Sequence, residues 1–214
     1  MIVEGDYRRD GYALVRELIP EVVARAFVAQ MRRALKADSF DLSQWPLIPV
    51  LNRPALDVYS QQFPFMRTFL WGLTPAMEAV TGARLVPTYD YFRVYREGDV
   101  CKVHSDRAAC EHSLSLTLGY SDGRPWPLDM GRDPIEAPQE VADDFGDAAV
   151  ASLEMQVGDA VAYRGAEHRH GRVSPNPNRW SAHLFLHWVD RDGEHAGEAF
   201  DRAGEPPAVE FTFA

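Results

Sequence analysis

Near the middle of the chain runs Cys101-Lys102-Val103-His104-Ser105-Asp106-Arg107. In an extended backbone, residues two apart point the same way, so His104 and Asp106 can grip one ion. Imidazole with carboxylate suits ferrous iron, zinc or manganese. The pair alone is a weak signal. With seven histidines and eighteen aspartates in 214 residues, about 0.6 such pairs arise by chance. A second segment adds to it. Gly158-Asp159 reads as a turn into a strand, and the chain then reaches Ala166-Glu167-His168-Arg169-His170. Either His168 or His170 closes a set of two imidazoles and one carboxylate that leaves three open positions on one face of a metal. Nine residues after His170 comes Arg179-Trp180-Ser181. Arg179 and Ser181 share a face of an extended segment, and together they can hold a carboxylate.

These groups need rigid elements to position them. Two helices are expected early, at about Pro20 to Lys36 and Pro64 to Val80. In the first, Ile19, Val22, Val23, Ala26, Phe27, Met31 and Leu35 form an apolar stripe, with Pro20 in the first turn. In the second, Phe65, Phe69, Leu73, Met77 and Val80 recur at helical steps, and Gly82 ends it. After Gly82 the texture turns to strands. Leu85 to Tyr95 is rich in Val, Tyr and Phe. Ser113 to Tyr120 alternates strictly, with leucines on one face and Ser113, Ser115 and Thr117 on the other. Further strands are expected at Trp126–Met130, Ala151–Val157, Ala160–Tyr163, Ser181–Val189 and Ala208–Phe213. The acidic, proline-containing stretch Gly131–Ala149 reads as a surface insertion, solvated or closing over a site. The order predicts one domain over 1–214. It has a helical part to about 82, an all-β core at about 83–190 and an extension at 191–214.

Twenty-two basic against thirty-two acidic residues give a net charge of −10. A surface this acidic disfavours nucleic acid and anionic membranes as partners. Two cysteines, Cys101 and Cys110, are too few for a disulfide scaffold and read as small buried groups. No apolar run reaches the ~18 residues a membrane span needs, and no leader is visible, so a soluble cytoplasmic protein is expected. Arg107 either reaches a substrate carboxylate or pairs with Glu111. Arg93 shares a face with Tyr91 and Tyr95, and if that face is interior, contact with substrate or cofactor is the expected reason for a charge there. Trp126 either lines a substrate pocket or fills the core. His112, His183 and His187 are read as hydrogen-bonding groups in or beside strands.

His104-x-Asp106, a distal His170 sixty-six residues later, Arg179-x-Ser181 after it, and Tyr91 to Gly98 just upstream together resemble the iron(II)- and 2-oxoglutarate-dependent oxygenases, with the prolyl-hydroxylase-like branch most similar. The resemblance covers about Tyr89 to Asp190. It implies an all-β core that is a double-stranded β-helix, or jelly roll, with N-terminal helices packed against it. It implies Fe(II) held by His104, Asp106 and His170, with 2-oxoglutarate and O2 as co-substrates. It places Arg179, assisted by Ser181, on the far carboxylate of 2-oxoglutarate, and Tyr95 on the same group. The family pattern selects His170 over His168.

The expected function is hydroxylation of a C–H bond in a small molecule such as an amino acid or a natural-product intermediate. A carboxylate at Asp106 argues against the related halogenases, in which Gly or Ala opens a chloride site there. The same family also contains hydroxylases of peptides and proteins. Two other classes would fit fewer of these features: a metal enzyme without the keto acid, and a non-catalytic jelly-roll module that binds a ligand.

Overall fold

The computed structural model describes residues 1–36, 39–43, 45–202 and 210–212. Its regular elements are β1 (Ile2–Glu4), α1 (Tyr7–Asp10), β2 (Tyr12–Arg16), α2 (Glu21–Ala34), β3 (Leu56–Tyr59), α3 (Arg67–Thr81), β4 (Leu85–Arg96), β5 (Cys101–His104), β6 (His112–Tyr120), β7 (Leu128–Gly131), β8 (Val150–Leu153), β9 (Ala160–Tyr163), β10 (His170–Arg172) and β11 (Trp180–Asp190). They form two antiparallel sheets. The larger has the order β1-β2-β9-β6-β11-β4-β3 and the smaller β5-β10-β7-β8. This is the expected jelly roll, with its strands packed face to face and the site between them.

The alternation of β6 explains the layering. Leu114, Leu116 and Leu118 face α2 and α3, where they join Phe27, Met31, Leu70, Met77, Leu184 and Trp188 in the main core. Ser113, Ser115 and Thr117 face the space between the sheets and are fully buried. Each has a partner there: Ser113 meets His187 at 2.9 Å, Ser115 accepts from Arg172 at 3.3 Å, and Thr117 meets His183 at 3.5 Å. The polar face is therefore turned inward and satisfied, as buried hydroxyls must be. A second core, with Leu14, Val161 and Tyr163 against Leu128, Met130 and Met155, joins the two sheets at one end.

Both expected helices form, with adjustments. Pro20 is the N-cap of α2 rather than a first-turn residue. Val22 and Val23 are exposed, because the buried stripe runs through Ala24, Phe27 and Met31. The second helix opens with a 3-10 turn at Pro64–Met66 and ends at Gly82, whose φ of 74° lets its N–H reach the Glu78 carbonyl at 2.7 Å. The first third of the chain is not purely helical, since β1, β2 and β3 come from it and extend the larger sheet at both edges. The strand expected near Trp126 begins only at Leu128, and the one expected over Ala151–Val157 stops at Leu153. Half of the strand expected at Ala208–Phe213 lies outside the described residues, and the other half, 210–212, is not in a strand. The Gly131–Ala149 stretch joins β7 to β8 and bridges back to β5 through Ala142 and Val103.

Candidate metal centre and its pocket

The smaller sheet builds the centre. His170 on β10 lies directly opposite His104 on β5, so the two imidazoles project side by side, with ring centroids 4.4 Å apart. His104 ends its strand. Asp106 follows in an irregular stretch whose backbone N–H donates to the Gly165 carbonyl at 2.8 Å. That turn brings the carboxylate back: Oδ1 is 3.6 Å from His104 Nε2, and Oδ2 is 3.4 Å from His170 Nε2. One ligand atom from each residue lies within 4.8 Å of the others. A Cβ on Gly165 would sit 2.4 Å from Asp106 Oδ2, so only glycine leaves room for the carboxylate.

The hydrogen bonds fix which ring nitrogens face inward. His104 Nδ1 donates to the Lys102 carbonyl at 2.8 Å, and His170 Nδ1 donates to the His168 carbonyl at 2.9 Å. A carbonyl only accepts, so both rings carry their proton on Nδ1 and present a bare Nε2 to the centre. Asp106 Oδ2 is buried without a hydrogen-bond partner. Burial lowers both histidines to about 4, and for His104 the neighbouring His170 adds to it. Burial raises Asp106 to about 6, against the opposing pull of His104, Arg107 and Arg93. At neutral pH the set is thus two neutral imidazoles and an ionised, under-solvated carboxylate. That donor set fits a divalent first-row metal.

His168 goes elsewhere. It lies in a turn closed onto Arg164, so the two-residue alternation that would place it beside His170 does not apply. Its Nδ1 donates to the Gly131 carbonyl at 3.0 Å and its ring packs edge-on to Tyr12.

The centre opens into a cavity of about 280 Å³. Of the residues singled out in the sequence, His104, Asp106, His170, Arg93, Tyr95 and Arg107 all line it. Arg93 is buried, stacks between the Tyr91 and Tyr95 rings, and is paired through two nitrogens with Asp57 at 2.5 and 2.7 Å. Its charge is met by the protein itself. Tyr95 is buried, and its hydroxyl accepts from Arg93 at 3.3 Å. Trp126 is buried behind the cavity wall, with its indole N–H on the Ser174 carbonyl at 2.7 Å. Arg107 does not pair with Glu111, which instead accepts the Asp190 N–H.

Arg179 and Ser181 are not brought to the pocket. β11 begins at Trp180, one residue too late for Arg179 to share the inward face. Asp122 captures both the Arg179 backbone N–H, at 2.8 Å, and its Nε, at 3.2 Å, and leaves the side chain largely in solvent. Ser181 is buried and accepts from Asn176 Nδ2 at 3.1 Å.

Another arginine does line the pocket, and the sequence reading passed over it. Arg172 stands two residues beyond His170 on β10, buried to 1% exposure. Its guanidinium lies over the Trp126 ring at 5.1 Å and donates to the Trp126 carbonyl and to Ser115 Oγ at 3.3 Å, with His183 Nδ1 3.5 Å away. Burial holds His183 well below its usual value, so it is neutral. All of these partners are therefore uncharged, and among the described residues Arg172 forms no ion pair. The signal was present in the spacing His170-x-Arg172, since alternate residues of a strand share a face.

Among family models and among curated proteins, nothing matches the chain. Solved structures do match. The non-heme alpha-ketoglutarate-dependent carbocyclase SnoK from nogalamycin biosynthesis superposes with a TM-score of 0.65 at 15% identity, over 87% of this chain and 82% of its own. HygX from Streptomyces hygroscopicus, with nickel and 2-oxoglutarate bound, gives 0.62 at 10% identity over 87% and 85%. A Pseudomonas putida prolyl-4-hydroxylase gives 0.58 at 18% identity over 85% and 95%. The shared property is the fold. No helix among the described residues is long and apolar enough to cross a membrane.

Proposed function

Starting from a chain with the fold of the iron- and 2-oxoglutarate-dependent oxygenases, we propose that it is an Fe(II)- and 2-oxoglutarate-dependent dioxygenase that hydroxylates a C–H bond of a small molecule. The observation that carries this reading is the convergence of two bare Nε2 atoms and an unpartnered carboxylate oxygen on one point, beside a buried arginine with no counter-anion. His104, Asp106 and His170 would hold the iron. Iron with the keto acid and O2 supplies an oxidant strong enough for an unactivated C–H bond.

The protein's own contribution is positioning and charge. The Nδ1 bonds to Lys102 and His168 hold the two imidazoles at fixed angles, and Gly165 leaves Asp106 its place. Arg172 takes the distal carboxylate of 2-oxoglutarate, the role first expected of Arg179. A buried cation among neutral partners is costly until an anion reaches it, so the site is electrostatically incomplete without its co-substrate. Trp126 supports the guanidinium from behind. Tyr163, Tyr95 and Phe185 line the walls and limit water.

The test is anaerobic. Metal-free protein receives Fe(II), 2-oxoglutarate is titrated, and the weak visible charge-transfer band of the iron–keto acid chelate is followed. The band is expected in the wild type and in Arg179→Gln. It is expected to vanish in Asp106→Ala and to need at least about tenfold more 2-oxoglutarate in Arg172→Gln, the loss of a charge-assisted pair. Folded protein that binds iron and shows no band would mean a metal enzyme without the keto acid. Folded protein that binds no iron would leave the ligand-binding module.

A further inference from the structure

Arg107 follows Asp106 directly and lines the same cavity, and it is neither among the three clustered metal-ligand candidates nor the arginine assigned above to the keto acid. Its guanidinium lies over the Tyr89 ring, 4.5 Å from the centroid. It is held by two carboxylates from beyond the last strand: Asp201 Oδ1 at 2.5 Å from Nη2, and Glu198 Oε2 at 3.7 Å from Nη1. The segment that carries them packs along β4. Its backbone is strained where it delivers Asp201, because Phe200 and Asp201 both have left-handed φ, 53° and 56°, without being glycine.

We propose that Arg107 is the anchor for a carboxylate of the primary substrate, and that Asp201 occupies the anchor until substrate displaces it. The inference deepens the oxygenase reading and rests on this pocket being its active site. Three observations support it. In a chain of net charge −10, three arginines converge on one cavity. Arg93 is matched by Asp57 from an adjoining strand, Arg172 awaits an anion, and Arg107 alone is matched by a strained C-terminal segment. A carboxylate already sits on it in good geometry, so the position accepts that group. Beside it, Tyr59 and Tyr91 stack at 5.5 Å, and Tyr59 is 40% exposed at the cavity mouth. A flat apolar body can lie against this wall while its carboxylate reaches Arg107. The substrate class is then a small aromatic or otherwise flat carboxylic acid, oxidised at a carbon between the anchor and the metal ligands.

The test uses the full chain free of metal and 2-oxoglutarate, so it reads Arg107 whatever the cofactors prove to be. The probes are 2-naphthoate and its neutral partner 2-naphthamide, with binding followed by calorimetry or ligand-observed NMR. Asp201 competes as a tethered anion, so Asp201→Asn is expected to tighten naphthoate about fivefold or more. Arg107→Gln is expected to weaken it about tenfold, to the level of the amide, with Arg107→Lys between the two. The amide is expected to respond to none of these changes. Both side chains are partly exposed, and an unchanged melting temperature shows that the fold is intact. The proposal is overturned if naphthoate binds equally in all variants, if it binds to none of them, or if its binding survives Arg107→Gln and is lost in Arg172→Gln. The last outcome would put the anion on the other cation and leave the keto-acid reading standing. A failed chelate band beside a positive naphthoate result would sink the oxygenase and keep the anchor.

Discussion

Replacing Asp106 by Asn is expected to stabilise the metal-free protein while it destroys the metal site. In the folded chain burial raises this carboxyl from 3.8 to about 6. At 1.36 kcal/mol per unit, holding it ionised at pH 8 costs about 3 kcal/mol. The side chain keeps 17% of its surface exposed, so we halve this to about 1.5 kcal/mol for solvent screening. Asn has nearly the same shape, carries no charge, and breaks no bond at Oδ2, which has none. For a chain of this size the gain corresponds to roughly 3–6 °C in melting temperature. Its pH dependence is the sharper signature. Between pH 4 and 6 the folded wild type keeps a proton that the unfolded chain has released. Its stability therefore falls as pH rises through 6 and then levels off. The variant lacks this loss, so its advantage grows from under about 0.5 kcal/mol at pH 4 to its full value above 6. Thermal or urea denaturation in the presence of a chelator, at pH 4 and pH 8, measures both quantities. An Asn variant less stable than wild type at pH 8, or an advantage equal at the two pH values, would refute the argument. Added Zn(II) should then reverse the ranking, because only the wild type gains the stabilisation of a bound ion.

Other consequences follow from the same geometry. Zn(II) affinity, followed by competition with a chromophoric chelator, should be flat above pH 6. Below it the affinity should fall about tenfold per unit, as protons compete for Asp106, and the two histidines should steepen the fall only near pH 4. Gly165→Ala should cost about 10–100-fold in metal affinity with the ligands untouched, because its Cβ would meet Asp106 Oδ2 at 2.4 Å and the Cys110 carbonyl at 2.8 Å. His170→Ala should abolish tight binding of Zn(II). His168→Ala should leave that affinity within about threefold and instead lower stability by about 1–3 kcal/mol, since it orphans the buried Gly131 carbonyl.

Much of this architecture was legible in the sequence where a local pattern decides the outcome. The strict alternation from Ser113 to Tyr120 could only be a strand with two unlike faces. His104-x-Asp106 and the distant His170 pointed to side chains that the structure does bring together. The errors came where a long-range contact overrides local periodicity. Arg179 shares a face with Ser181 only if the strand has already begun, and Asp122, fifty-seven residues earlier, holds it outside. His168 is two residues from His170, but a turn intervenes. β1 to β3 are short and lie at or near the sheet edges, so their pairing comes from partners far along the chain. Arg107 and Asp201 are ninety-four residues apart, and nothing in either neighbourhood marks their meeting.

The placement of the ligands also has a mechanical side. His104 sits on β5, an outermost strand of the smaller sheet, and His170 on its neighbour β10. The two strands share only two register pairs, with an irregularity between them, and the far side of β5 is tied down by single bridges at Leu51 and Ala142. An ion held jointly by His104, Asp106 and His170 is a rivet through that weak seam. Amide hydrogens from Cys101 to Asp106 should exchange quickly in the bare protein and slow markedly once metal is added, while those of β6 and β11 at the centre of the larger sheet should stay slow throughout. The wall of the pocket would thus harden when an ion is bound.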